Sequence, residues 1–339
     1  MYQDYKIVCT IASGRRKYMQ YLMPQLLENN VVDRYDLWIN TLDLLDIEFF
    51  KELDKRYPKI NLVLQPEMNV SGISSINSFY HKCTDEDTIY IKIDDDVIWL
   101  EPDFFEKMIN FRINHPNYFI VSPLVINNPL STYILQNSEI LKLTKYVHPD
   151  SKGKLIWRSG LFAKQIHEWF LNNYLIPNKY KDLYCGTKEV AINRMSINAI
   201  LWFGKDMKAF GGDVPGDDEE FLSVIKPTQL GKSNGFNCDC IISHFAFGPQ
   251  RQFLDKVNIL EQYGSFLHKE WAQNIHMKEL DDSIQEIMSD ISKNKKSILT
   301  NKCPYRSNKQ KTTIRSIFKK YKATIRYWNC CLSNTNYIK

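Results

Sequence analysis

The 339-residue chain has 44% hydrophobic and 24% charged residues, which is typical of a soluble globular protein long enough to bury a large core. It has no apolar run of 18 residues and no signal-peptide pattern, which excludes a transmembrane helix and predicts a cytoplasmic protein with reduced cysteines. The charge is uneven. Segment 293–339 holds 13 of the 44 Lys and Arg residues and none of the 39 Asp and Glu residues, so the remainder carries a net charge of −8.

Short apolar strands alternate with helical segments over the first 125 residues. The predicted strands are 5–12, 36–40, 61–65, 88–93 and 118–123, and the predicted helices are 18–29, 46–56, 73–83 and 102–114. This alternation predicts an α/β fold with an open, mostly parallel sheet and helices on both faces. Ligands of such sheets bind beyond the carboxyl ends of the strands.

The second half of the chain is less regular. Segment 130–196 has weak periodicity and is interpreted as part of the same domain, whereas 252–291 predicts one or two helices. Within 313–332 the apolar residues follow one face of a helix whose other positions are largely basic. Such a helix fits an anionic membrane surface, and it equally fits docking on the acidic body. Nucleic-acid binding is not expected, because the rest of the chain offers no basic patch.

Three consecutive aspartates, Asp94, Asp95 and Asp96, lie between two apolar runs. Adjacent carboxylates repel one another, and burying them without compensation is costly, so a divalent cation would explain their position. Oxygen ligands of this kind suit Mg²⁺ or Mn²⁺, which bind one or two carboxylates together with substrate phosphates. The alternative is a solvated acidic turn, but the flanking apolar runs favour a metal site.

Three other segments carry candidate chemistry. The Gly-containing turn at 13–16 follows the first strand, and its backbone amides and arginines could hold phosphate, unless it is a simple surface turn. An acidic run at 217–220 follows a Gly-rich loop and could equally cap a helix. His244 ends an apolar strand shortly before Gly248 and could be a metal ligand or a structural residue, and Arg251 could reach phosphate or lie on the surface.

The aspartate segment resembles the DxD motif of GT-A glycosyltransferases. The resemblance implies a Rossmann-like GT-A catalytic domain at 1–250, with a donor half at about 1–128 and an acceptor half at about 129–250. C-terminal helices at 251–292 and a basic helical tail at 293–339 would follow. It also implies that Asp94, Asp96 and His244 bind the metal.

The same resemblance implies further site residues. The expected nucleotide contacts are Thr10, Ser13, Arg15, Arg16, Ser71, Gly72, Lys92, Asp94 and Asp95. In inverting members of the family an acidic residue at a helix start is the general base, which would be Asp218 here, with Asp217 and Glu219 as alternates.

The expected function is therefore a Mn²⁺- or Mg²⁺-dependent glycosyltransferase that uses a nucleotide-sugar, with a UDP-sugar favoured. The acceptor would be a glycan or a lipid-linked sugar in cell-surface polysaccharide synthesis, and the enzyme could associate peripherally with the inner face of a membrane. Two alternatives remain: a nucleotidyl or sugar-phosphate transferase, and a non-catalytic, cation-dependent carbohydrate-binding protein.

Overall fold

The computed structural model describes residues 1–65, 69–70, 73–151, 154–191, 193–307 and 335–339. The strands are β1 Lys6–Ser13, β2 Arg34–Ile39, β3 Ile60–Val63, β4 Asn69–Val70, β5 Thr88–Asp94, β6 Val97–Leu100, β7 Val121–Ile126, β8 Thr187–Val190, β9 Ala199–Phe203, β10 Asn234–His244 and β11 Arg306–Ser307. The helices are α1 Arg16–Leu27, α2 Leu44–Arg56, α3 Ile73–Asn77, α4 Phe104–Asn114, α5 Pro129–Asn137, α6 Lys154–Arg158, α7 Gly160–Phe170, α8 Gly204–Lys208, α9 Asp218–Glu220, α10 Lys226–Leu230, α11 Gly248–Leu254, α12 Ile259–Trp271, α13 Ile275–Lys293 and α14 Lys295–Ile298. Within these described ranges, no helix is both long and apolar enough to cross a membrane.

One large mixed sheet organises the molecule. Its strand order is β3-β2-β1-β5-β9-β7-β10-β6, and β8 pairs with β10 beside this path. Strands β3, β2, β1 and β5 are parallel, as are β7 and β10. Strand β9 runs antiparallel between β5 and β7, and β6 and β8 run antiparallel to β10. The predicted α/β class, a Rossmann-like sheet flanked by helices, is confirmed. The antiparallel strands β6, β8 and β9 all lie beyond β5 in the strand order.

The hydrophobic core lies on both faces of this sheet. In β1, alternate residues such as Ile7 and Cys9 belong to the cluster on one face, which includes residues of α1, α2 and α4. Val8 belongs to the cluster on the other face, which includes residues of α7 and α12. Strand β6 lies at the sheet edge, where Gln25 of α1 donates to the Ile98 carbonyl and accepts from the Leu100 amide. These two bonds satisfy edge groups that would otherwise be open to pairing.

Several predicted elements differ in detail from the structure. The strand predicted at 118–123 lies at Val121–Ile126, and the helix predicted at 73–83 is a short helix followed by a 3₁₀ turn at Tyr80–Lys82. The segment predicted as irregular, 130–196, contains α5, α6 and α7. The predicted amphipathic helix at 313–332 lies outside the described residues.

Candidate functional site

The candidate site forms where several strands end together. Strands β1 and β5 are parallel neighbours with Ala12 opposite Asp94, so the turn after β1 lies beside the three aspartates. Asp94 ends β5, and Asp95 and Asp96 form the turn into β6. His244, the last residue of β10, is aligned with Val97, the first residue of β6. Sheet topology therefore brings residues from distant parts of the sequence to one edge.

Asp94, Asp96 and His244 are arranged so that they could share one metal ion. Each offers a ligand atom, and these three atoms lie within 4.8 Å of one another. The His244 Nε2 atom is 3.5 Å from Asp96 Oδ1, and both side chains are almost fully buried. Ligands about 2.1 Å from an octahedral ion are separated by about 3 to 4 Å, so the arrangement fits a bound cation. Two carboxylates and an imidazole suit Mn²⁺ and similar divalent ions.

Two arginines contact the same aspartates. Arg15 places Nη1 3.0 Å from Asp96 Oδ2 and donates from Nε to Asp95 Oδ1 at 2.9 Å. Arg251, in α11, donates from Nη2 to Asp96 Oδ2 at 2.8 Å. The Gly14 amide donates to Asp95 Oδ2 at 2.8 Å. A Cβ atom at Gly14 would lie 3.1 Å from the Asn40 carbonyl oxygen, so glycine permits this close approach between the ends of β1 and β2.

The two buried aspartates differ in their pKa values. Burial raises the pKa of Asp95 to about 6, and the charge of Arg15 offsets only part of this effect. Burial also acts to raise the pKa of Asp96, but the charges of Arg15 and His244 together lower it below its ordinary value. Asp96 is therefore held as a carboxylate, which is the form that binds a cation.

Asp94 is oriented by neighbours on β5 and just before β9. Lys92, 3% exposed, donates to Asp94 Oδ1 at 2.6 Å and to the Ile197 carbonyl at 2.9 Å. Asn198 donates from Nδ2 to Asp94 Oδ2 at 3.1 Å. Asn198 was not predicted as a site residue, although its position immediately before the apolar run 199–203 was a usable signal. These two donors fix the orientation of the carboxylate.

The acidic run divides into residues with different environments. Asp217 caps α9, and Arg194 donates to both of its carboxylate oxygens, at 2.9 and 2.7 Å. Asp218, the base preferred from the sequence, is buried and accepts from the Tyr80 hydroxyl at 3.2 Å. Glu219 is the member that lines the pocket, and Arg194 lies 2.7 Å from its Oε2. Burial raises the pKa of Glu219 to about 7, partly offset by Arg194.

The site opens into a pocket of about 470 Å³. Its lining residues are Ala12, Gly14, Arg15, Asn40, Ile76, Asp94, Asp95, Asp96, Asn198, Glu219, His244, Ala246, Phe247, Gly248 and Arg251. A second cavity of about 450 Å³ lies towards the other end of β6 and includes Trp99, Leu100 and Trp271. None of the metal-site residues lines the second cavity, so the candidate chemistry belongs to the first.

Three other predicted contacts, Thr10, Ser13 and Arg16, do not line this pocket. Thr10 and Ser13 are fully buried, and their hydroxyls donate to the backbone carbonyls of Ile91 and Ile11. Arg16 pairs with Asp46 of α2.

Three further residues are not placed in the site. Ser71 and Gly72 lie outside the described residues. Trp202 of β9 is fully buried and stacks on Tyr90 with the ring centroids 5.9 Å apart. It is therefore a core residue.

No known protein-family profile matches the sequence, and neither does any curated protein. Solved structures with a similar fold include GalNAc-T7 with UDP, GalNAc and Mn²⁺, at 12% identity and a TM-score of 0.45, covering 88% of this chain and 58% of that chain. A 4-diphosphocytidyl-2C-methyl-D-erythritol synthase from Anaerococcus prevotii is 11% identical, with a TM-score of 0.42 and coverage of 78% and 99%. A CMP:2-keto-3-deoxy-manno-octonic acid synthetase complexed with CTP is 11% identical, with a TM-score of 0.40 and coverage of 76% and 98%. Likenesses this distant assign no activity to this chain.

Proposed function

We propose that the chain is a divalent-metal-dependent glycosyltransferase that uses a nucleoside-diphosphate sugar. The observation that carries this proposal is the grouping of Asp94, Asp96 and His244 in one pocket with two arginines. A metal ion and guanidinium groups together suit a diphosphate, which needs several positive charges around its oxygens. A cation-dependent carbohydrate-binding protein would also need the metal ligands, but it would not need the two arginines beside them.

Asp94, Asp96 and His244 would hold Mn²⁺ or Mg²⁺, and the ion when bound would act as a Lewis acid toward the departing diphosphate. The imidazole ligand favours Mn²⁺ over Mg²⁺, because Mg²⁺ prefers oxygen ligands alone. Arg15 and Arg251 share Asp96 Oδ2 and both line the pocket, so they are the proposed contacts of the phosphate oxygens.

Glu219 is the proposed general base of an inverting reaction. Its pKa of about 7 allows it to be ionised at neutral pH and still accept a proton readily. The acceptor hydroxyl oxygen would bond to the anomeric carbon while the bond from that carbon to the diphosphate oxygen breaks. The bonding electron pair leaves with the diphosphate, and the hydroxyl proton passes to a carboxylate oxygen of Glu219. The acceptor in this proposal is a glycan or a lipid-linked sugar.

The test is to identify the products. Purified protein is incubated with Mn²⁺ and a panel of nucleotide-sugars, UDP-sugars first, with and without a mixture of glycan acceptors. We expect metal-dependent release of a nucleoside diphosphate that increases when the correct acceptor is present. A parallel incubation with nucleoside triphosphates and sugar phosphates tests nucleotidyl transfer, for which the same metal-and-arginine pocket would also be suitable. Release of pyrophosphate there, with no nucleoside diphosphate from any nucleotide-sugar, would replace our proposal with that reaction.

A further inference from the structure

A chain of buried hydrogen bonds lies behind the metal-site residues. Ser243, His167 and Tyr263 are all fully buried, and none of them lines the pocket. The Ser243 and Tyr263 hydroxyl oxygens are 2.9 Å apart, and the Tyr263 oxygen is 3.0 Å from His167 Nδ1. His167 Nε2 is 2.8 Å from the carbonyl oxygen of Phe245, the residue that follows His244.

The direction of these hydrogen bonds follows from the available donors. Burial lowers the pKa of His167 to about 4, so the ring is neutral and carries a single N–H. A carbonyl oxygen can only accept, so that hydrogen lies on Nε2 and is donated to Phe245. Nδ1 must then accept from the Tyr263 hydroxyl, whose oxygen accepts from Ser243. Each member of the chain has its required partner.

This series of hydrogen bonds ends at Phe245, whose backbone is also bonded to the metal-site segment. The Phe245 amide donates to the Asp96 carbonyl at 2.8 Å, and its carbonyl also accepts from Asn127 Nδ2 at 2.9 Å. Both polar groups of the Phe245 backbone are therefore fixed, directly beside His244. Asn127 Nδ2 also donates to Gln250 Oε1 at 3.0 Å, so the same network reaches α11, the helix that carries Arg251.

We propose that His167 and Tyr263 are positioning residues that set the place of His244 relative to Asp96, and through it the geometry of metal binding. This inference rests on the proposed metal site. A fully satisfied polar network in a low-dielectric interior specifies one backbone arrangement, whereas apolar side chains of similar volume would pack without fixing a carbonyl. Hydrogen-bonding groups behind metal ligands commonly change metal affinity by one to two orders of magnitude when removed.

The experiment measures Mn²⁺ affinity of the full chain by calorimetry, together with the melting temperature. Tyr263→Phe removes the hydroxyl that His167 needs, and His167→Leu removes the donor to Phe245. His167→Gln is the conservative variant, because its amide can still donate near the position of Nε2. Tyr35→Phe is the matched control: Tyr35 is also fully buried and donates to the Leu26 carbonyl, but it belongs to the opposite face of the sheet.

We expect Tyr263→Phe and Tyr35→Phe to lower the melting temperature to a comparable extent. Only Tyr263→Phe and His167→Leu should weaken Mn²⁺ binding, by roughly tenfold, while His167→Gln retains most of the affinity. Equal Mn²⁺ affinity in the wild type and Tyr263→Phe would overturn the positioning role, and so would equal weakening by Tyr35→Phe. If the wild type binds neither Mn²⁺ nor Mg²⁺, the metal site itself fails and the positioning role fails with it. If His167→Leu does not fold, the comparison of the two tyrosine variants decides.

Discussion

Glu219→Gln is the substitution that most directly tests the proposed chemistry. The glutamine keeps the size of the side chain and can still accept from Arg194, which lies 2.7 Å from Glu219 Oε2, but it cannot take up the acceptor proton. Loss of a general base typically slows a reaction by about 10²- to 10⁴-fold. We therefore expect kcat to fall by at least about two orders of magnitude, with a smaller change in KM.

The pKa of Glu219 also sets the pH dependence. Below its pKa of about 7 the wild-type carboxyl is protonated and cannot act as a base, so the rate should rise with pH and reach a plateau above 7. Stability should change in the opposite direction. Because the pKa is raised on folding, the folded state binds the proton more tightly, and stability is lost as the pH rises from the unfolded value of 4.5 through about 7.

The size of this stability effect can be worked out. The rise from 4.5 to about 7 corresponds to about 3 kcal/mol against the ionised form in the folded protein. The Glu219 side chain is 25% exposed, and solvent screening therefore reduces this energy. We expect a loss of stability of at most about 2 to 3 kcal/mol. Glu219→Gln should therefore be more stable than the wild type at pH 8 by up to this amount and nearly equal to it at pH 4.

The assays are transfer rates between pH 5.5 and 9 and urea unfolding at pH 4 and pH 8. Asp218→Asn is the matched control, because Asp218 adjoins Glu219 in sequence but accepts from Tyr80 behind the pocket wall. It should change stability more than kcat. Wild-type activity in Glu219→Gln at pH 8 would refute our reasoning. A large loss of kcat in Asp218→Asn with little loss in Glu219→Gln would assign the base to Asp218.

Three further predictions concern the metal and the diphosphate. Asp96→Asn should abolish Mn²⁺-dependent activity. Asp46→Asn, which removes a carboxylate paired with Arg16 outside the pocket, should retain that activity. Equal activity in the two variants would exclude Asp96 as a metal ligand. Arg251→Gln should raise the Kd for the nucleoside diphosphate about tenfold by removing a charge-assisted hydrogen bond, as measured by calorimetry in the presence of Mn²⁺. Mn²⁺ at 100 times its Kd should stabilise the folded wild type by about 2.7 kcal/mol, measured as a rise in melting temperature. A chelator should remove this rise, and Asp96→Asn should show no rise with Mn²⁺.

The fold class and the place of the aspartates could be predicted from the sequence, because apolar periodicity marked the strands and helices and polar residues followed a strand. Apolar strands alternating with helices predicted the α/β class, and the position of Asp94–Asp96 between two apolar runs predicted buried carboxylates, of which Asp95 and Asp96 are each 2% exposed. Segment 130–196 was less predictable. Helix α7 does have one buried face, with Lys164, Gln165 and Glu168 half-buried between its buried residues, but it covers only Gly160–Phe170 of this segment.

The roles within the site were less predictable, because they depend on which way each side chain faces. Asp217, Asp218 and Glu219 are adjacent and chemically alike, yet one caps a helix, one faces the core and one lines the pocket. What separates them is the start of α9, since successive helical residues point about 100° apart. A sequence pattern can place an acidic run at a helix start, but the direction of each carboxylate depends on the register of that turn against Tyr80 and Arg194. These contacts come from segments more than 20 residues away in the chain. The same reasoning applies to His167, whose proposed positioning role depends on a carbonyl 78 residues away and not on any neighbour in sequence.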